Sequence, residues 1–465
     1  MSIRHQFLKK FGFWITAIAV TVVIAYLIAT RPLDIVWLLP LAILIFLVRN
    51  NLRLGIAITL FLPLIGELYR LPIGGENGAL LSDIATAVIG FLWFVQKPLN
   101  KKQPTNTTQS FLAKPLTYFI VIAGFSLLQS LLFLQPTEVV KSSLYLFRFV
   151  EYALLIFIVQ DVIKTEPQRK NLRNCMVISA MLIAIAGFIQ LLIYPDLGKL
   201  EELGWDPHKF RLVSTWLDPN FIGGFLAFII CILTGITLYT KHFFKKIGLF
   251  IVIGVLAVAL FLTYSRSGYL AAGIGIIALS ALKSRKLLIA TLILACLGLS
   301  LSPRAQERID DLSHTVQSII FNTSENPDAT ARLRIQSWNQ TLELIQKRPL
   351  FGSGYNTLPY VKYNEGFVSN SAVHSASGSD SSLLTILATT GIFGLGAFIW
   401  LYWNMLKLAW KKWHDKKIPA VWQGYSLGIF TGLLAILGHS FFVNSLLFPQ
   451  IMIFIFIGTG LLATL

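Results

Sequence analysis

Charge is scarce in this chain, and so are cysteine and acidic residues. Asp, Glu, Lys and Arg make up 13% of its 465 residues, about half the share usual for a soluble domain, which excludes an ordinary water-surrounded enzyme. The cysteines, Cys175, Cys231 and Cys296, all lie inside apolar runs, so neither a disulfide framework nor a Cys-x-x-Cys zinc pattern exists. No small-residue cleavage site follows the first apolar run, which reads as a retained span rather than a removed signal peptide. What the chain does have is apolar length. Hydrophobic residues reach 55%, in runs recurring from end to end. That predicts an all-α polytopic membrane protein surrounded by membrane lipids.

The basic residues give the topology. About fourteen spans, twelve at the least, are expected at 12–29, 33–48, 54–67, 80–95, 116–134, 142–160, 174–194, 219–239, 247–264, 268–282, 287–302, 382–406, 421–441 and 447–464. The formal net charge of +17 invites a nucleic-acid partner, but most Lys and Arg sit in short clusters between apolar runs. "RHQFLKK", "RNNLR", "QKPLNKK", "KTEPQRKNLR", "TKHFFKK", "KSRK" and "KLAWKKWHDKK" occupy every second connection. The positive-inside rule then puts both termini in the cytoplasm, and no nucleic acid is needed to explain the charge. Three regions follow: spans one to eleven over 1–302, an extracytoplasmic, partly helical loop over 303–381, and the last three spans over 382–465. Within the loop, Ile335, Trp338, Leu342 and Ile345 mark one face of a helix ending before Pro349, with Arg332 and Arg334 on the turn preceding that face.

By this topology Arg211, Arg266, Arg332, Arg334, His374 and Asp380 all meet the same outer compartment. Guanidinium groups gathered there suit a lipid-linked phosphate or diphosphate, to which they offer permanent charge and bidentate bonds. Each residue also has a plain structural reading. Arg266 can snorkel from a helix end. The Ser379–Ser381 run, Asp380 included, looks like a helix cap, and Asp218-Pro219-Asn220 like a helix start. His374 lies in a small-residue loop with nothing to single it out. Arg148 and Glu151 are i, i+3 partners inside a span, an intramembrane pair with either a functional or a bridging role. Gly352, Gly354 and Gly378 would let the loop shift as substrates enter.

The order of "RLVSTWLDPN", "TYSRSGYLA", "ARLRIQSWNQTLELIQKRPLFGSGYNTL" and "SDSSLLTILATTGIFGLGAF" resembles the O-antigen ligase and polymerase superfamily, from roughly Arg148 to Phe398. The resemblance implies a membrane glycosyltransferase working at the outer face of the cytoplasmic membrane. It would move a glycan from undecaprenyl diphosphate to a hydroxyl of a saccharide, lipid or protein acceptor, without a metal or other cofactor. Family arginines that hold the diphosphate fall on Arg211 and Arg266, and the loop arginine before the Trp on Arg334, with Arg332 as competitor. No Asp-x-Asp triplet occurs in the chain, so arginines would have to neutralise the leaving group. Ligases of the superfamily carry His-Asn eleven residues before the Gly of the closing motif; counting back from Gly391 gives Asp380-Ser381. Asp380 would then take the acceptor's proton, or His374 would reach in from the loop, and direct displacement would invert the anomeric centre.

Two other classes fit the same spans. A transporter or flippase of lipid-linked saccharide should show inverted repeats and interrupted helices near the midplane; the sequence displays no such internal symmetry, and its polar residues lie at one surface. A non-catalytic assembly factor would use the outer loop, "PLFGSGY" in particular, as a docking surface.

Overall fold

The computed structural model describes residues 38–71, 78–96, 107–199, 208–301, 329–368 and 378–465. The expected first span, the opening of the outer loop and His374 lie outside the described residues, as does the side chain of Arg332. Fifteen α-helices are described. In order they are α1 (Leu38–Arg49), α2 (Leu52–Phe61), α3 (Leu81–Gln96), α4 (Thr107–Ser130), α5 (Pro136–Val162), α6 (Glu166–Ile193), α7 (Pro219–Tyr239) and α8 (Phe243–Leu262). Then come α9 (Arg266–Lys283), α10 (Arg285–Leu301), α11 (Ala329–Lys347), α12 (Leu358–Asn364), α13 (Ser382–His414), α14 (Ala420–His439) and α15 (Pro449–Ala463). Two two-residue strands, β1 (Arg70–Leu71) and β2 (Ala79–Leu80), pair antiparallel, and an isolated antiparallel bridge joins Asp196 to Lys209; these are small departures from all-α.

Seven of these helices are long and apolar enough to cross a membrane: α4 from Ser110, α5, α6, α7, α8, α13 and α14. Shorter apolar helices run over Leu52–Leu64, Leu81–Gln96 and Pro449–Ala463. Proline opens α5, α7 and α15, where its missing N–H costs nothing and its fixed φ suits the first turn. Pro115 lies inside α4, earlier than the expected start at 116, and leaves the Phe111 carbonyl without its usual donor. Asn404 of α13 supplies one instead, its side-chain N–H donating at 2.7 Å.

At the centre, α7, α9 and α14 pack on one another. Helix α7 is buried on nearly every side, as is α15 from Gln450 to Leu462, which explains why both are apolar all round. Near their beginnings α7 and α9 touch backbone to backbone: a Cβ on Gly223 would come 3.2 Å from the Cα of Gly268. Small residues at such crossings let the main chains approach.

Helix α13 is broken. Gly391 sits at φ 66°, ψ −171°, a conformation open essentially to glycine alone, between a half-helix over 382–390 and the remainder of the span. The backbone of "PLFGSGY" lies along this break. Ser353 N–H donates to the Ala388 carbonyl at 2.9 Å and Gly354 N–H to Thr389 at 3.0 Å. In return Ile392 N–H donates to Pro349 at 2.9 Å and Phe393 N–H to Leu350 at 3.4 Å. Ser126 of α4 also donates to the Thr389 carbonyl, at 2.6 Å. Every polar group freed by the interruption that these bonds reach is thus paired within the protein, the condition for irregular backbone at membrane depth.

Three expectations change as a result. Gly352 and Gly354 are not hinges: both have positive φ, and a Cβ on Gly352 would meet the Thr389 and Thr390 backbone. Gly378 is likewise packed, against the Asn444 side chain. The backbone of "PLFGSGY" is taken up inside the chain, and Pro349 and Leu350 are the residues of it left exposed. An interrupted helix, one of the two marks expected of a transporter, is present.

Candidate functional site

The Arg211 segment is built first. Gln190, near the end of α6, accepts from the Val213 and Ser214 N–H groups at 3.0 and 3.3 Å, and Ser214 donates to the Ile183 carbonyl at 2.7 Å. Trp216, fully buried, donates to the Pro63 carbonyl at 2.8 Å. Held this way, Arg211 turns onto the α8–α9 corner. Its Nε donates to the Thr263 carbonyl at 2.9 Å and its Nη2 to Tyr264 at 3.2 Å, and Leu212 N–H reaches the Leu262 carbonyl at 2.9 Å. The half-buried Arg266 follows as the first residue of α9. The two arginine-bearing segments, 55 positions apart by number, are therefore hydrogen-bonded neighbours.

The next link runs from α9 to α7. Ser265 caps α9 by accepting from Gly268 N–H at 3.1 Å and donates its hydroxyl to Asn220 Oδ1 at 2.8 Å. Asp218 caps α7, accepting from the N–H groups of Asn220 at 2.6 Å and Phe221 at 3.4 Å. One turn on, the bare side of Gly224 faces the ring of His439, the last residue of α14. His439 is fully buried, with Nδ1 3.0 Å from Ser445 Oγ, and the Arg334 charge acts on its ring.

Helix α13 starts against the same end of α14. Ser382 N–H donates to the Ser440 carbonyl at 2.8 Å, and Ser381 Oγ to the same carbonyl at 3.3 Å. Ser382 Oγ donates to Val443 and accepts from Leu446 N–H, both at 3.1 Å. Ser379 and Thr385 hydroxyls lie 2.9 Å apart, and Thr385 donates to Asn444 Oδ1 at 2.9 Å. The cap of α13 is Ser381, which accepts from Leu384 N–H at 3.4 Å, so Asp380 is not needed as the cap. Asp380 is exposed and held at φ 54°. Behind it stands Lys362 of α12, buried, donating to the Gly378 carbonyl at 2.6 Å. Burial pushes the Lys362 ammonium below its ordinary range, and the Asp380 charge works against that shift.

The N-termini of α7, α9 and α13 and the C-terminus of α14 thus meet in one network. The three N-termini bring partial positive charge, which favours an anion. Among the described residues six non-glycines have positive φ: Phe210, Ser214, Leu217, Tyr264, Asn356 and Asp380. Five of them sit in the Arg211 segment, before Arg266, or at the α13 start. Backbone strain of this sort gathers where surrounding structure over-determines a functional conformation.

Arg148 and Glu151 stand apart from this network and do not pair with each other. Arg148 forks onto Asp83 at the start of α3, Nε to Oδ1 at 3.0 Å and Nη2 to Oδ2 at 2.6 Å. Tyr152 donates to the same carboxylate, and Ser82 lies 2.9 Å from the Tyr152 hydroxyl. Glu151 is buried, its Oε1 without a hydrogen-bond partner. The i, i+3 spacing is local, whereas a bidentate bond needs a carboxylate presented in the guanidinium plane, which Asp83 provides from another helix. On α11 the buried face is also rotated from the expected one: Thr341 and Leu344 are buried while Leu342 is 44% exposed. Arg334, one and two turns before 338 and 341, shares that inward face.

His439, Asn444 and Lys362 were not singled out from the sequence. "GHSFFVNS" offered a signal, a polar run between two apolar ones, but His439 fell inside an expected span. Lys362 lacked any signal, since its partners are main-chain and hydroxyl groups.

Over residues 251–399 the chain is similar to the O-antigen ligase family, whose model matches that stretch. It covers Arg266, Arg332, Arg334, Lys362, His374, Asp380 and the break at Gly391, but not Arg211 or His439. No curated protein matches the chain.

Proposed function

We propose that this chain, which belongs to the O-antigen ligase and polymerase superfamily, is a membrane glycosyltransferase that moves a glycan from a polyprenyl diphosphate to an acceptor hydroxyl. The observation that carries the reading is the meeting of the segments bearing Arg211, Arg266, Arg334 and Asp380 at one end of the α7–α9–α14 triad, beside three helix N-termini. All of these ends fall on the side that the alternating basic clusters assign to the outer face of the cytoplasmic membrane.

The acceptor hydroxyl attacks the anomeric carbon while Asp380 takes its proton; His374 remains the other candidate for this role. The new glycosidic C–O bond forms as the bond to the diphosphate oxygen breaks, and the electron pair leaves with the diphosphate. Arg211 and Arg266, with Arg334 or Arg332 from α11, neutralise that growing charge, aided by the helix ends. Attack from the face opposite the leaving group inverts the anomeric centre. Undecaprenyl diphosphate is the donor carrier, and a saccharide, lipid or protein supplies the hydroxyl.

The test is transfer by purified full-length protein in proteoliposomes given undecaprenyl-diphosphate-linked glycan and acceptor. Asp380→Asn is expected to lower kcat by about 10²–10⁴-fold, the usual worth of a general base. Arg211→Ala and Arg266→Ala should each lose a large part of turnover. Unimpaired transfer in the arginine variants refutes their roles. Because α13 is broken, a transporter is tested alongside: movement of lipid-linked glycan across the vesicle wall with no covalent product would favour it.

A further inference from the structure

Lys362 is an unusual side chain to bury. It is 1% exposed, and its ammonium makes no ion pair within 4 Å among the described residues. Its hydrogen bonds go to two neutral oxygens, the Gly378 carbonyl at 2.6 Å and the Ser337 hydroxyl at 3.4 Å. Taking a cation out of water for neutral acceptors alone is costly, so a fold gains little from it as a mere strut.

Position gives it a purpose. Ser337 lies on α11, three residues after Arg334 and one before Trp338. Gly378 opens the stretch that leads through Ser379 to Asp380, and Asp380 is in electrostatic reach of the ammonium. Lys362 itself is carried by α12, whose start is tied to the "PLFGSGY" turn through Thr357, which donates to the Ser353 carbonyl at 2.8 Å. Three separate pieces of the outer segment, one bearing Arg334, one bearing Asp380 and one fixed to the α13 break, therefore converge on a single nitrogen.

We propose that Lys362 is a positioning residue for the transfer reaction: its ammonium clasps α11 to the 378–380 stretch and so fixes where Arg334 and the Asp380 carboxylate stand relative to each other. This rests on the glycosyltransferase reading for its functional part only. The clasp keeps Asp380 in its left-handed conformation by holding the carbonyl two residues earlier. It also leaves a positive charge on the protein side of the carboxylate, where it favours the ionised form that can accept a proton.

The experiment has two readouts, of which one does not depend on activity. In full-length protein with Cys175, Cys231 and Cys296 changed to Ala, Asp380→Cys is labelled by a membrane-impermeant maleimide in proteoliposomes. Adding Lys362→Met is expected to change the labelling rate by about tenfold, the scale of one lost hydrogen bond to a charged group. In the otherwise native chain, Lys362→Met should lower kcat by a similar factor with donor KM little changed, and Lys362→Arg should restore part of it. Unchanged labelling overturns the clasp, whatever the activity. Changed labelling with kcat unmoved overturns the positioning role. Absence of transfer by the wild type would count against the glycosyltransferase reading and leave labelling to decide the clasp. If Lys362→Met does not fold, Lys362→Gln, which keeps an N–H for the carbonyl but not the charge, is read by the same two criteria.

Discussion

Replacing Gly391 with Ala tests the broken span directly. A Cβ there would meet the Leu350 carbonyl and the Phe351 N, main-chain atoms that cannot swing aside. The φ of 66° with ψ of −171° adds roughly 1–3 kcal/mol of backbone strain for any other residue. Relief requires the 349–354 segment to lift from α13, and with it four main-chain hydrogen bonds, each worth about 1 kcal/mol net. The sum is on the order of 5 kcal/mol, comparable to the whole stability of many domains. The control lies five residues along the same helix. Gly396 is exposed, and a Cβ there would meet no atom within 4 Å, so Gly396→Ala should be neutral or stabilising by up to about 1 kcal/mol through helix propensity. Thermal unfolding of both variants in detergent, with folded yield after size exclusion, makes the comparison. Equal behaviour of Gly391→Ala and Gly396→Ala would refute the interrupted-helix account.

Two further outcomes follow from other parts of the molecule. Arg148→Met leaves the largely enclosed Asp83 carboxylate without its fork and should cost up to about 3 kcal/mol, most of which Arg148→Met with Asp83→Asn should recover; an additive double variant would mean that the pair is not coupled. Lys362 has a pH signature. Burial lowers its ammonium below the ordinary 10.5, so the folded state sheds this proton before the unfolded state does, and stability from this group rises with pH through that window. The melting temperature of the wild type should therefore gain on that of Lys362→Met as pH rises toward the ordinary 10.5, and a constant difference would contradict the assignment.

Helices were legible because apolar length and flanking proline announce them: Pro219 to Tyr239 coincides with the expected span, and Asp218 is the cap its position suggested. The grouping of Arg211 with Arg266 was legible only as a shared compartment, since nothing local encodes the bonds from one to the carbonyls before the other. Arg148 misled because i, i+3 spacing is visible in a sequence and a partner 65 positions away is not. The hydrophobic face of α11 misled because its inward side carries Thr341 and Arg334, which a tally of apolar residues discounts. Glycines at 352, 354 and 378 looked like freedom, whereas each is closely packed, Gly352 against the Thr389–Thr390 main chain, Gly354 against the Thr357 and Ser130 side chains and Gly378 against that of Asn444.

The weaving of residues 349–354 into the break of α13 also bears on engineering. Anyone wishing to graft the long outer segment of one homologue onto another would cut through a shared seam by joining at its ends alone. A chimera should carry 349–354 together with 388–393 as one cassette, with one splice point ahead of α11 and the other beyond residue 393. Exchanges that separate the two halves of that seam are expected to yield misassembled chains before any question of substrate choice arises.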